Sequence, residues 1–374
     1  MRVLCVDNGA IVAQGRARLV NRPSAQFYVE LAERFPGLTL AQGLLEGGEL
    51  DTLGNYDLAG APGLRVVGLP WRTGSAVARA LNYLRAVPFA LRYVHEADFL
   101  YLFLPGRLPA LFARIAWLLG RPYGAYLRGE PSEREDGQAL SKARFVLVAN
   151  EGMRCEAERY CRDVALVRPM IDFTTADVVR ERRARRTPPW RVLFVGRVEE
   201  RKGIGELLDA MGMLRQRGVP FELRLVGGSA EGAELEALRA RASRAGLEPA
   251  VFRGVARERG ELEACYRWAD VLVLPTHTEG FARVLYEAMV FGVPVLSTFV
   301  GGIPAVLTDG VDAIRLPVRD ADGIANCVQR ALDDADLRER IAAGGTALIL
   351  ETLRSRPWSH VELAERKLRG AAAG

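Results

Sequence analysis

The sequence predicts an α/β protein of two domains with parallel sheets. Three observations carry this. Short apolar runs alternate with helical patterns along the chain, as βαβ units require. At 374 residues the chain exceeds one ordinary α/β domain and suits two. A charged, proline-ended stretch from Val179 to Trp190 separates the two sets of runs as a linker would.

In the first half, apolar runs predict strands at 2–6, 64–69, 98–104, 123–127, 144–149 and 164–168. Helical periodicity falls at 24–34, 75–94 and 107–119, and the glycine-rich region from Gly43 to Gly63 reads as loop. The second half predicts strands at 191–196, 221–226, 250–254, 271–274, 294–297 and 313–316, with helical patterns between them. The tail Arg356-Pro-Trp-Ser-His360 opens a final amphipathic helix. The expected division is 1–175, a basic linker 176–189, and 190–351, with a terminal helix 352–374 returning to the first domain.

Hydrophobic content of 49% and mean hydropathy near zero fit a soluble globular chain. Net charge is +5, mostly from dispersed arginine, a weak sign of nucleic-acid binding. Five scattered cysteines form no metal-ligand pair and fit a reducing cytoplasm. The amino terminus reads as a strand, not a secretion signal, and Phe99–Leu119 is too interrupted by proline, glycine and arginine to span a membrane. The pattern at 76–93, with Arg79, Arg85 and Arg92 among apolar residues, reads as a core helix or as a contact with a membrane surface.

The chemistry concentrates in the second half. Phe194-Val-Gly196-Arg197 ends a buried strand and Glu200-Arg-Lys202-Gly follows at once. Open α/β sheets bind ligands at the carboxyl ends of their strands, where Arg197 and Lys202 would clamp a diphosphate. Leu225-Val-Gly227-Gly and Phe252-Arg-Gly254-Val255 end further strands with glycines that let a ligand approach the backbone. The strand Val271–Pro275 runs into Glu279-Gly280-Phe281-Ala282-Arg283, and Glu287 follows in a helical run. A helix start there offers N–H groups and a positive dipole end to an anion, while the two glutamates can accept hydroxyl hydrogen bonds. Glu287 also stands four residues after Arg283, the spacing of a helix-surface ion pair. Phosphate plus hydroxyls describes a nucleotide sugar.

In order and spacing these segments, with Val300-Gly-Gly-Ile-Pro304, resemble the family 4 retaining glycosyltransferases of the GT-B fold over about 190–316. The resemblance implies two Rossmann-like domains facing across a cleft, the terminal helix crossing back to the first. It implies that Arg197 and Lys202 hold the donor diphosphate and that Glu279 accepts from donor sugar hydroxyls. Gly280, Phe281 and Ala282 would offer N–H groups, Glu287 would bind the ribose, and backbone near Gly254 and Val255 would face the base. Gly196, Gly227 and Arg283 complete the donor set. No cofactor or metal is implied. Asp320-Ala-Asp322 and Asp334-Ala-Asp336 read as helix caps, not as a metal motif.

The first domain departs from the family pattern. Its first loop, Asp7-Asn8-Gly9-Ala, lacks paired glycines, and Arg128-Gly-Glu130 stands where a histidine is expected. Asn8, Gly9, Arg128 and Glu130 are acceptor-side candidates, and Arg128 and Glu130 have the alternative of pairing with each other. The expected reaction moves a hexosyl group from a UDP- or GDP-type donor to a glycan or lipid-linked acceptor, in the cytoplasm or at the inner membrane face. A nucleotide-sugar epimerase or hydrolase is the alternative on the same fold, and polyanion binding by the basic stretch 180–186 is the alternative of another class.

Overall fold

In the computed structural model the described residues are 1–46, 55–70, 76–128, 136–169, 171, 173–228, 232–247, 251–256, 258–279 and 282–373. They form two compact units. One comprises Met1–Arg168 with Trp358–Gly374, the other Pro169–Pro357.

The first unit runs β1 (Val3–Gln14), β2 (Ala17–Asn21), α1 (Arg22–Arg34), β3 (Leu38–Glu46), β4 (Asn55–Asp57), β5 (Leu64–Pro70), α2 (Ala76–Glu96), β6 (Phe99–Leu104), α3 (Arg107–Leu118), β7 (Tyr123–Leu127), α4 (Asp136–Ser141), β8 (Val146–Val148), α5 (Glu151–Glu158) and β9 (Val164–Leu166). Its parallel path is β5-β3-β1-β6-β7-β8-β9. Every residue of β6 and β7 is buried, as strands covered on both faces must be.

The structure corrects the sequence reading at one edge. The segment 43–63 is not all loop, because β3 continues to Glu46 and β4 lies at 55–57. Likewise β1 does not stop at residue 6. After an irregularity between Val6 and Ala10 it runs on to Gln14 and turns back antiparallel into β2. Gly15, with φ 58°, opens the two-residue turn, a position that needs glycine. Ile11, Val12 and Val20 are buried and pin the register of this hairpin.

The second unit runs β10 (Trp190–Val195), α6 (Ile204–Gln216), β11 (Phe221–Val226), α7 (Ala233–Arg244), β12 (Phe252–Gly254), α8 (Arg259–Trp268), β13 (Val271–Leu274), α9 (Arg283–Val290), β14 (Val295–Thr298), β15 (Ile314–Leu316), α10 (Ala321–Asp333) and α11 (Ala335–Ser355). The sheet order is β12-β11-β10-β13-β14-β15 and all its pairs are parallel. This is the doubly wound order, with its switch point between β10 and β13. All six strands lie where the apolar runs predict them.

The boundaries differ from the expected ones. The stretch 176–189 is not a solvated linker but is fastened to the second unit. Arg182 donates to the carbonyls of Tyr266 and Phe291 at 3.1 Å, to that of Arg267 at 3.2 Å, and to that of Ala269. These oxygens end α8 and α9, where carbonyls lack helical partners and a cation is favoured. The terminal helix does not begin at 352, since α11 continues to Ser355 and α12 spans His360–Ala373. Ser359 and Glu362 cap α12 reciprocally, the Ser359 N–H donating to Glu362 at 2.7 Å and the Glu362 N–H to Ser359 Oγ at 3.2 Å. Val361, Ala364 and Leu368 of α12 join Phe27, Tyr28 and Leu31 of α1 in the core of the first unit.

Candidate functional site

The donor-site candidates gather at the carboxyl ends of β10, β11, β13 and β14. Gly196, Gly227 and Gly254 extend the sheet ladder past the strands. The Gly196 N–H reaches the Val226 carbonyl at 2.9 Å and the Gly227 N–H reaches that of Gly254 at 2.8 Å. Gly227 has φ 145°, and a Cβ there would stand 1.9 Å from the Gly196 oxygen, so only glycine fits. Val255, just beyond β12, is half-buried.

After β10 a single 3₁₀ turn, Glu200–Lys202, leads into α6 through Gly203. Gly203 has φ 71° and packs so close to Pro275 that a Cβ would meet its oxygen at 2.0 Å. This approach sets the turn against the β13–α9 loop, where the Lys202 ammonium pairs with the Glu279 carboxylate. The two side chains are 13% and 16% exposed, so the pair is screened but not sealed. The loop is tied down along its length. The His277 N–H donates to the Arg201 carbonyl at 3.0 Å, Thr276 Oγ1 to that of Thr278 at 2.9 Å, and Ser297 Oγ to that of Leu274 at 3.0 Å. The Glu279 carbonyl accepts from Gly302 at 3.2 Å, and the neighbouring Gly301, φ 56°, lies so near that a Cβ would stand 1.8 Å from that oxygen. His277 Nε2 stands 3.1 Å from a Glu206 carboxylate oxygen.

Arg197, just beyond β10, turns to Glu199. Its Nε lies 3.2 Å from Glu199, and its Nη2 is closer. Arg201 pairs with the same carboxylate. Glu199 is buried between two guanidinium groups, a role the sequence reading did not give it. The spacing of two residues on either side was the available signal.

Ala282 caps α9 without a side-chain hydrogen bond, and Arg283 opens the helix. Gly280 and Phe281 lie outside the described residues. Glu287, one turn into α9, is buried and accepts a 2.7 Å hydrogen bond from the Tyr266 hydroxyl. Tyr266 is fully buried, stacks on Phe291 with ring centroids 5.7 Å apart, and has its pKa raised well above the ordinary value by burial and then by Glu287. Tyr266 packs α8 and also orients Glu287.

In the first unit, Arg128 pairs with Asp7 and lies 5.1 Å over the Phe103 ring. Glu130 lies outside the described residues. Asp7 is 2% exposed and accepts from the Tyr28 hydroxyl and from the Gly9 N–H at 2.9 Å. Gln42 donates to the Tyr28 oxygen at 3.1 Å while its own Oε1 is buried without a hydrogen bond. Asp7 follows the last β1–β6 pair and Arg128 the last β6–β7 pair, at the ligand edge of such a sheet, and Gln42 lies within β3 beside the irregularity of β1. Asn8 and Gly9 are exposed beside them. Sequence reasoning named Arg128 but missed Asp7, Tyr28 and Gln42, whose meeting depends on strand order.

The two Asp-x-Asp triplets are helix caps. Asp320 accepts from the Gly323 N–H at 2.9 Å and Asp334 from the Leu337 N–H at 2.8 Å. Among the described residues no helix is long and apolar enough to cross a membrane.

Residues 176–347 match the family described as glycosyl transferases group 1. The D-inositol 3-phosphate glycosyltransferase of Paenarthrobacter aurescens is 31% identical over 231 residues, covering 58% of this chain and 57% of that protein. The enzyme of the same name from Xylanimonas cellulosilytica is 34% identical over 179 residues, covering 47% and 42%. The chain thus spans about half the length of the curated relatives it matches. Anabaena HepE, solved in complex with UDP, superposes with a TM-score of 0.66 at 18% identity, over 99% of this chain and 100% of that one. Sucrose-phosphate synthase from Thermosynechococcus elongatus gives 0.66 at 18% over 98% of each chain. With its carboxyl-terminal sheet, glycine turns and paired glutamates, the segment 176–347 is similar to the glycosyl transferases group 1 family, and the chain shares the GT-B fold of these solved structures.

Proposed function

We propose that the protein is a retaining glycosyltransferase that moves a hexosyl group from a UDP-type sugar to a hydroxyl acceptor in polysaccharide or glycolipid synthesis, on the cytoplasmic side of a membrane. The observation that carries this reading is the Lys202–Glu279 pair, held at the strand ends beside the amino terminus of α9. A cation and helix-start N–H groups answer a diphosphate, and carboxylates answer hydroxyls. The structures of HepE with UDP and with UDP-glucose support a nucleotide-sugar donor on this fold.

The chemistry follows from charge. A nucleoside diphosphate leaves readily, so the site's task is to stabilise the negative charge that grows on the phosphates as the anomeric C–O bond breaks. Lys202 and Arg197 are the cations for this, with the N–H groups at the start of α9. Glu279 exchanges part of its ion pair for sugar hydroxyls, and Glu287, held by Tyr266, takes the ribose hydroxyls. In the retaining course the departing phosphate assists deprotonation of the acceptor on the same face. Asp7, Gln42 and Arg128 form the acceptor side. We infer that no metal is needed, a reading supported by the use of both Asp-x-Asp triplets as caps.

The test is turnover of UDP-sugar by Lys202→Ala and Arg197→Ala. Each should fall by roughly 10²-fold or more, as when a transition-state donor is lost. Near-normal turnover in both would remove the diphosphate assignment.

A further inference from the structure

A cavity of about 230 Å³ lies at the amino-terminal edge of the second sheet, where Arg191 is the second residue of β10, Asp270 precedes β13 and Pro294 precedes β14. This is the opposite edge from the donor candidates. Six arginines line it, Arg182, Arg183, Arg185, Arg191, Arg267 and Arg338, against two acids, Asp270 and Glu339.

Both acids are already engaged. Asp270 accepts the Arg191 backbone N–H at 2.9 Å and faces Arg185 at 3.3 Å. Glu339 accepts the Ala184 N–H at 3.1 Å and pairs with Arg186 at 3.4 Å. Outside the lining, Glu263 answers Arg267 at 2.8 Å. Arg182 and Arg338 spend their terminal nitrogens on helix-end carbonyls, which fix the guanidinium groups but cancel no charge. Arg338 is 1% exposed, and its Nε is buried without a hydrogen-bond partner. The Nε of Arg191 is buried in the same unpaired way. Burial pulls the pKa of both Arg182 and Arg338 below the usual arginine value, as expected where cations are undercompensated. Excess buried cationic charge is costly, and an oxyanion in the cavity relieves it.

We propose that this cavity binds a small phosphate anion, inorganic phosphate or a diphosphate. Planar guanidinium forks suit phosphate oxygens, and the volume exceeds that of several water molecules at roughly 30 Å³ each. The proposal also accounts for the basic run 180–186, which the donor site does not use. It is independent of the proposed transfer reaction.

The experiment is calorimetric titration of the full chain with inorganic diphosphate at low ionic strength, in an Arg197→Ala background that weakens the donor site. One diphosphate should bind, and adding Arg183→Ser and Arg191→Gln should weaken it about tenfold or more, the effect of losing charge-assisted hydrogen bonds. Arg183 is exposed, so Arg183→Ser alone gives a fold-neutral variant that should weaken binding several-fold. Displacement by UDP in this background identifies a nucleotide diphosphate as the source, and failure of UDP to compete identifies the free anion. Absence of diphosphate binding in the Arg197→Ala protein, or binding indifferent to both cavity substitutions, overturns the proposal.

Discussion

At the scale of residues, the account turns on a few polar side chains whose partners are now explicit. Tyr266→Phe removes the hydroxyl that orients Glu287 and should weaken UDP binding by several-fold to tenfold, one hydrogen bond to a charged group. Calorimetric UDP affinity checks it, and an unchanged Kd would detach Glu287 from the ribose. His360 makes a separate prediction. It is buried, its Nε2 lies 2.7 Å from the Tyr101 hydroxyl, and burial followed by the Arg128 charge lowers its pKa from 6.5 to about 3. The unfolded chain therefore takes up the proton first as pH falls. The stability tied to neutral His360 is complete above 6.5 and is lost progressively toward about 3. His360→Gln should remove up to about 1.4 kcal/mol per pH unit of that slope, read from denaturation across this window. Arg197, Lys202 and Glu279 could be singled out from sequence because each stands in a local motif after a strand, and Glu287 because it follows in the helical run of α9. Asp7 and Tyr266 could not, because their partners Arg128 and Glu287 are distant in the chain and meet only through sheet order and helix packing.

At the scale of elements, glycines set the donor loop. Gly301→Ala places a Cβ against the Glu279 carbonyl in a backbone conformation that disfavours side chains. It should destabilise the protein by roughly 1–3 kcal/mol and, by shifting Glu279, weaken donor binding as well. A stable variant with unchanged affinity would mean that Glu279 is not positioned by this contact. The Asp-x-Asp triplets predict the reverse separation. Asp320→Ala should cost about 1 kcal/mol of stability through the lost cap and leave turnover intact. Loss of turnover without loss of stability would reopen a role in metal binding. The second sheet was legible because most of its strands are short apolar runs ended by glycine or proline. The hairpin of β1 and β2 was not, because Asp7-Asn-Gly9 breaks the apolar run where the backbone continues as strand.

At the scale of the whole molecule, one chain builds two units and returns to the first with α12. The length implied two domains, but the boundary was misplaced because an arginine-rich segment reads as solvated until its carbonyl partners are seen. The central claim is that the edge of the second sheet built by Lys202, Glu279 and Glu287 receives a nucleoside diphosphate. Calorimetric titration of UDP into the wild-type chain and into Glu287→Ala and Lys202→Ala tests it most directly. The account predicts one bound UDP in the wild type and a loss of affinity of about tenfold or more in each variant. Absence of UDP binding, or equal affinity in all three proteins, would contradict it.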